Sequence, residues 1–202
     1  FNGESQASVR NSTFTQAGTN AIFILKSNVQ LEHISIREHI AKHPAIVIEA
    51  SIVGLQHISA MNIQSETIHI HAHSTIIGSN ISIEQGTNAH IAIHNSTAQL
   101  THLQLADGKS YGLYMKKSDV SVSHSELRNH DDSGIYMLDG EATLQYTHIF
   151  GHTRAFEQQH GTLYAEGLQF VKNDAQWQSN DASTFIKHSL FRGGKTGLQF
   201  TN

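Results

Sequence analysis

The sequence predicts an all-β solenoid: 202 residues wound into about nine coils of roughly 22 residues, with three short strands per coil. Three observations carry this. An apolar pair of spacing i, i+2 returns at nearly constant intervals. Two further alternating segments follow each pair. Only one proline occurs in the whole chain, as expected where most backbone N–H groups donate to a neighbouring strand.

The first strand of each coil carries the pair Ile22/Ile24, Ile46/Ile48, Ile68/Ile70, Ile91/Ile93, Leu113/Met115 or Ile135/Met137. The register continues less cleanly as Phe156/Gln158, Trp177/Ser179 and Leu198/Phe200. Successive steps are 24, 22, 23, 22, 22, 21, 21 and 21 residues. Spacing i, i+2 puts both side chains on one strand face. The second strand is marked by Val29/Leu31, Val53/Leu55, Ala98/Leu100, Val120/Val122 and Ala142/Leu144. The third is marked by Ile34/Ile36, Ile58, Ile81/Ile83, Leu103/Leu105 and Ile149. The lone Pro44 precedes a strand, where it is tolerated. One coil cannot bury its apolar face alone, whereas stacked coils form a continuous core.

Charged residues make up 15% of the chain, against about 25% in ordinary soluble domains. Ser, Thr, Asn, Gln and 16 His carry the polarity. The formal charge of −4 and the lack of a Lys/Arg stripe argue against nucleic acid. No cysteine is present, so disulfides and thiolate metal sites are excluded. Apolar runs such as Ala21 to Leu25 are too short to span a bilayer. No cofactor is expected.

Three strands per coil, the period near 22 and the pattern V-x-N-S-x-F…G-x-N-A-I-x-I (Val9 to Ile24) resemble the right-handed parallel β-helix repeat family. Its members include pectate lyases, family-28 polysaccharide hydrolases, alginate epimerases and NosD-like periplasmic proteins. The resemblance covers nearly the whole chain and implies one β-helix domain over residues 1–202. One fold hosts many chemistries, so the resemblance alone assigns none.

Several columns follow from the stacking. Asn11, His33, His57, Asn80, His102, His124, Tyr146, Gly167 and His188 fall at the turn between second and third strands. They are expected to form a structural polar ladder, since neutral His both donates and accepts. On the outward face of the first strand, one column reads Leu25, Glu49, His71, His94, Lys116, Leu138. Its companion reads Phe23, Val47, His69, Ala92, Tyr114, Tyr136, Glu157. Glu49, His69, His71 and His94 are candidate metal ligands. A flat sheet face makes such ligands diverge, so the favoured expectation is no metal.

The richest cluster lies at the turn before the first strand in the second half. The stacking brings His130 beside His152 and Asp132 beside Arg154. The candidate catalytic residues are Asp131, Asp132, Tyr136, His152 and Arg154; the candidate substrate-binding residues are Lys109, Tyr114, Lys116, His130 and Asp139. Carboxylates serve as acid and base in glycoside hydrolysis. A Tyr/His pair can move a sugar proton, and Lys and Arg neutralise uronate carboxylates. Asn129-His130-Asp131-Asp132 and Gly151-His152 resemble the acidic pair and Gly-His element of the family-28 hydrolases. The resemblance implies catalytic roles for Asp131, Asp132 and His152. That family's Asn-Thr-Asp and Arg-x-Lys elements and the epimerases' Asp-Pro-His motif are absent.

The expectation is thus a polysaccharide-interacting domain, extracellular or periplasmic, acting on an acidic polymer through the first-strand face as a lyase, epimerase or glycoside hydrolase. The alternatives are a non-catalytic structural or adhesive module and a metal-related role resting on the His count. No capping helix is evident before Val9, and four residues follow Leu198. A longer chain, a flanking domain or an oligomer partner is therefore expected to cover the open sheet edges.

Overall fold

A computed structural model describes residues 5–201. They form 20 strands and no helix. Every strand pairing is parallel, between one coil and the next: Ile22–Leu25 lies on Ile46–Glu49, which lies on Ile68–His71. The register matches the apolar columns residue for residue, through Ile135↔Phe156, Phe156↔Trp177 and Trp177↔Leu198. The architecture is a parallel β-helix. Its extreme ends, residues 1–4 and 202, fall outside the described range, so the expectation of covered ends is not addressed there.

The three strands of a coil are not always separate. Asn28–His39, Ile52–Ile63 and Thr75–Gly86 each run through the second and third strands as one element. Leu113–Ser123 and Ser133–Gln145 instead join the first and second. The bends survive as single residues of positive φ. The second corner uses Asn11, His33, His57, Asn80, His102, His124 and Tyr146, with φ between 47 and 54°. Asn and His are among the side chains that best tolerate this left-handed conformation. The column therefore sits where the sequence placed it, with a different job. Its side chains are exposed. Ring contacts join its members, His33 to His57 at 4.6 Å and His102 to His124 at 5.7 Å.

The interior carries two polar ladders of its own. At the first corner, Ser27, Ser51, Ser74, Ser96 and Ser118 are buried. The backbone N–H of each of the first four donates to the serine hydroxyl one coil on, at 3.1 to 3.3 Å. Each of the last four hydroxyls in turn donates to a carbonyl two or three residues earlier. Ser74→Ala would strand the Ser51 N–H in the core. A stability loss of about 1–3 kcal/mol is expected, read as a lower urea midpoint at unchanged slope.

The second ladder lies at the third corner, and it corrects two expectations. His130 and His152 are 1% and 3% exposed and point into the core. The His130 N–H donates to His152 Nδ1 at 3.1 Å, and His152 Nε2–H donates to the Leu127 carbonyl at 3.0 Å. One coil on, the His152 N–H donates to Asn173 Oδ1, and Asn173 Nδ2 donates to the Ile149 carbonyl, both at 3.0 Å. Leu127 and Ile149 are register partners, so His152 does the work of an asparagine rung. Glycines make the room: a Cβ on Gly108 or Gly134 would meet the His130 or His152 ring within 3.0 Å.

Candidate functional site

With His130 and His152 committed to the interior, the remaining candidates divide among three places. Asp131 and Lys109 pair with each other at 3.2 Å on the outer rim of the third corner, both well exposed. Asp132 turns the other way, to Arg154. The neighbouring carboxylates thus engage different cations and do not form an acidic pair. Asp139 lies at the first corner with φ 61°, at the far end of the first strand from Asp132.

What the fold does gather is the outward face of the first strand. Tyr114 and Tyr136 are register partners, and their rings stack at 5.4 Å with 4° between planes. Tyr111, from the preceding turn, leans over both, at 5.6 and 5.2 Å. The run continues through His94 to Tyr114 at 5.3 Å, His69 to His94 at 5.0 Å, and His71 to His69 at 5.1 Å. Five rings of the strand face therefore form one unbroken strip, with His69 and His71 side by side on one strand and the others one to a coil. Lys116 lies beside it, between His94 and Leu138. Val47 and Ala92, in the same outward column as His69 and Tyr114, are buried, at 8% and 2% exposed.

One end of the strip is ionic. Arg154 donates to Asp132, to Glu157 at 2.8 Å and to the Ser133 hydroxyl at 3.3 Å. Tyr111 is pushed up to about 12, first by burial, then by the Asp132 charge and its hydrogen bond to that carboxylate. Burial and the Glu157 charge raise Tyr136 as well. Both phenols stay protonated, and Tyr111 donates to Asp132. At the other end His69 faces Glu66 at 3.6 Å and His71 faces Glu49 at 3.7 Å. His69 and His94 stack face to face, 13° apart, as rings do that are not converging on a shared ion. Among the described residues no three His, Asp or Glu side chains are gathered as a metal ion requires.

Tyr111, Glu66 and Glu157 belong to this face and were not among the candidate residues. Glu157 stood in the outward column and was readable there. Tyr111 and Glu66 come from turns of irregular length, where stacking arithmetic does not locate a side chain. A second aromatic pair, Tyr164 and Phe185, stacks at 5.2 Å on the second-strand face. It is continued by Thr143 and Ser121, so it stops at two rings.

No curated protein matches the chain in sequence. Among solved structures, the A-module of the mannuronan C-5 epimerase AlgE4 of Azotobacter vinelandii is similar at 8% identity and TM-score 0.38, over 98% of this chain and 91% of that one. The Streptococcus pneumoniae surface protein and adhesin PfbA is similar at 11% identity and TM-score 0.35, over 89% of this chain and 68% of that one. The family model of the right-handed β-helix region matches residues 1–175. With the coiled parallel architecture, that match shows that the chain belongs to the right-handed parallel β-helix family.

Proposed function

We propose that this domain binds a linear acidic polysaccharide along the outward face of the first strand. The unbroken strip from His71 to Tyr136 is the observation that carries the reading. A flat ring presents an apolar face to a pyranose and keeps a polar edge for its hydroxyls. Rings repeating from coil to coil suit a polymer that itself repeats, and Lys116 offers a cation to its acidic groups.

Binding is better supported than turnover. Asp132 and Glu157 share the Arg154 guanidinium, and hydrolysis would need one of them freed as an acid. The Tyr111 phenol, at about 12, is a donor and a poor base. A ligand of this kind supports an extracellular or periplasmic location. Among the described residues no helix is long and apolar enough to cross a membrane.

Isothermal titration against a panel of linear acidic and neutral polysaccharides tests the reading. Tyr136→Ala is expected to weaken binding about tenfold, roughly 1.4 kcal/mol. Tyr164→Ala, on the other face, should leave it unchanged. Equal affinities for wild type and both Tyr114→Ala and Tyr136→Ala, all folded by circular dichroism, would sink the proposal. Reducing-end or unsaturated-product release that disappears in Asp132→Asn would show that the face is catalytic as well.

A further inference from the structure

We propose that His69, His71, His94 and Lys116 form an anion subsite that grips the carboxylates or sulfates of a polyanionic glycan once the imidazoles are protonated, so that binding turns on in mildly acidic solution. This rests on the polysaccharide reading above and adds to it a charge class and a switch.

Three imidazoles lie within one strip, with ring centres 5.0 and 5.1 Å apart, and Lys116 is the register partner of His94. His69 and His71 share one strand, and His94 and Lys116 follow in the next two coils, so a chain lying along the axis meets the pair and then each of the others. The charged groups facing them are Glu49, Glu66 and Lys116, with Tyr114 against His94. With neutral imidazoles, two carboxylates face one ammonium and the patch carries −1. That charge repels a polyanion. Protonating all three rings brings the patch to +2.

Two of the rings, His71 and His94, also resist protonation in the absence of a ligand. His71 is held down by burial first and then by the charge of His69. His94 is held down by burial, then by His69 and Lys116. A polyanion lying along the strip relieves that mutual repulsion. Ligand binding and proton uptake are therefore reciprocal, and the complex should take up protons as it forms.

The probes are dextran sulfate, whose charge does not change between pH 7.5 and 5.5, polygalacturonate, and uncharged dextran. Titration is done at low ionic strength with wild type and with His69→Gln/His71→Gln/His94→Gln. For the two polyanions the wild type is expected to bind at least tenfold tighter at pH 5.5. At pH 6.5 the binding heat should vary with buffer ionisation enthalpy, marking proton uptake. The triple variant should lose both effects. Circular dichroism at each pH confirms that the chain is folded. Equal polyanion affinity at the two pH values would overturn the switch and leave the polysaccharide reading standing. A pH gain that persists in the triple variant would assign it to other histidines, such as the exposed second-corner column, and would also overturn it. No binding of any polysaccharide at either pH would overturn both readings.

Discussion

Acidification from pH 6.5 towards 4 is expected to unfold this domain, and the interior histidines of the third corner are the cause. His152 lies in the core with its Nδ1 accepting from the His130 N–H and its Nε2–H donating to Leu127. Those partners require a neutral ring with its one proton on Nε2. A second proton would set two donors against each other. His152 is accordingly lowered from 6.5 to about 4, with burial the main cause. His90 and His130 share a buried hydrogen bond of 3.1 Å. Both are pushed down: burial dominates, and for His130 the charges of His90 and His152 add to it.

In the unfolded chain each imidazole takes its proton near the ordinary value of 6.5. Between that value and the folded one, the unfolded state binds more protons, so stability falls as pH falls. The contribution is fully present above 6.5 and is lost on the way down through about 4. For His152 alone it amounts to about 3 kcal/mol. With the His90/His130 pair the loss approaches the whole stability of a typical domain, about 5–15 kcal/mol. The single tryptophan, Trp177, is fully buried and reports the transition by fluorescence.

His152→Asn separates this cause from general acid effects. Asn173 already fills the next rung of the same ladder with an amide. An amide at 152 keeps an acceptor for the His130 N–H and removes one titrating group. The variant should lose about 1–2 kcal/mol at pH 7.5 from the smaller side chain. Its stability should then fall less steeply with acid, by about 1.4 kcal/mol per pH unit. A wild type whose urea midpoint is flat from pH 7 to 4.5 would refute the ladder as an acid switch.

The same two histidines show where the sequence was legible and where it was not. Coil spacing put His130 beside His152, and their rings do stack at 5.1 Å. Spacing fixes the neighbour but not the face at a corner, because strand alternation stops there. Both were therefore read as exposed when they are core. Within strands the alternation holds, and the outward columns through His71, His94, Tyr114 and Tyr136 stand as read. The serine ladder was readable but unread: Ser27, Ser51, Ser74, Ser96 and Ser118 recur with the coil period, directly after the left-handed residue of the first corner. Serine rarely signals a core, so apolar periodicity passes over it. The second-corner column was placed correctly and given the wrong physics, since backbone conformation rather than side-chain bonding selects Asn and His there.

Trp177→Ala is expected to cost about 3–5 kcal/mol, and the reason lies in the coils where the apolar pattern fades. The inward slot held by Ile22, Ile46, Ile68, Ile91, Leu113 and Ile135 passes to Phe156 and then Trp177. The second member of the pair becomes Gln158 and then Ser179, both buried. These polar groups are satisfied by one another and by Thr184, at 3.5 and 3.0 Å from Gln158 Oε1, and they contribute little apolar burial. The aromatic rings supply it instead: Trp177 packs on Phe156 at 4.6 Å and edge-on to Phe170 at 5.6 Å. Truncation to alanine removes the largest side chain of this end of the core and leaves a cavity beside polar groups that cannot collapse into it. Trp177→Phe is the discriminating partner. The indole N–H is buried without an acceptor, so Phe removes an unsatisfied donor while giving up ring volume. The two effects oppose, and the net change should stay within about 1–2 kcal/mol. Urea unfolding followed by circular dichroism reads both variants. A small loss for alanine, or an equal loss for phenylalanine, would mean that the hydrogen-bonded Gln158 and Ser179, and not the rings, hold these coils together.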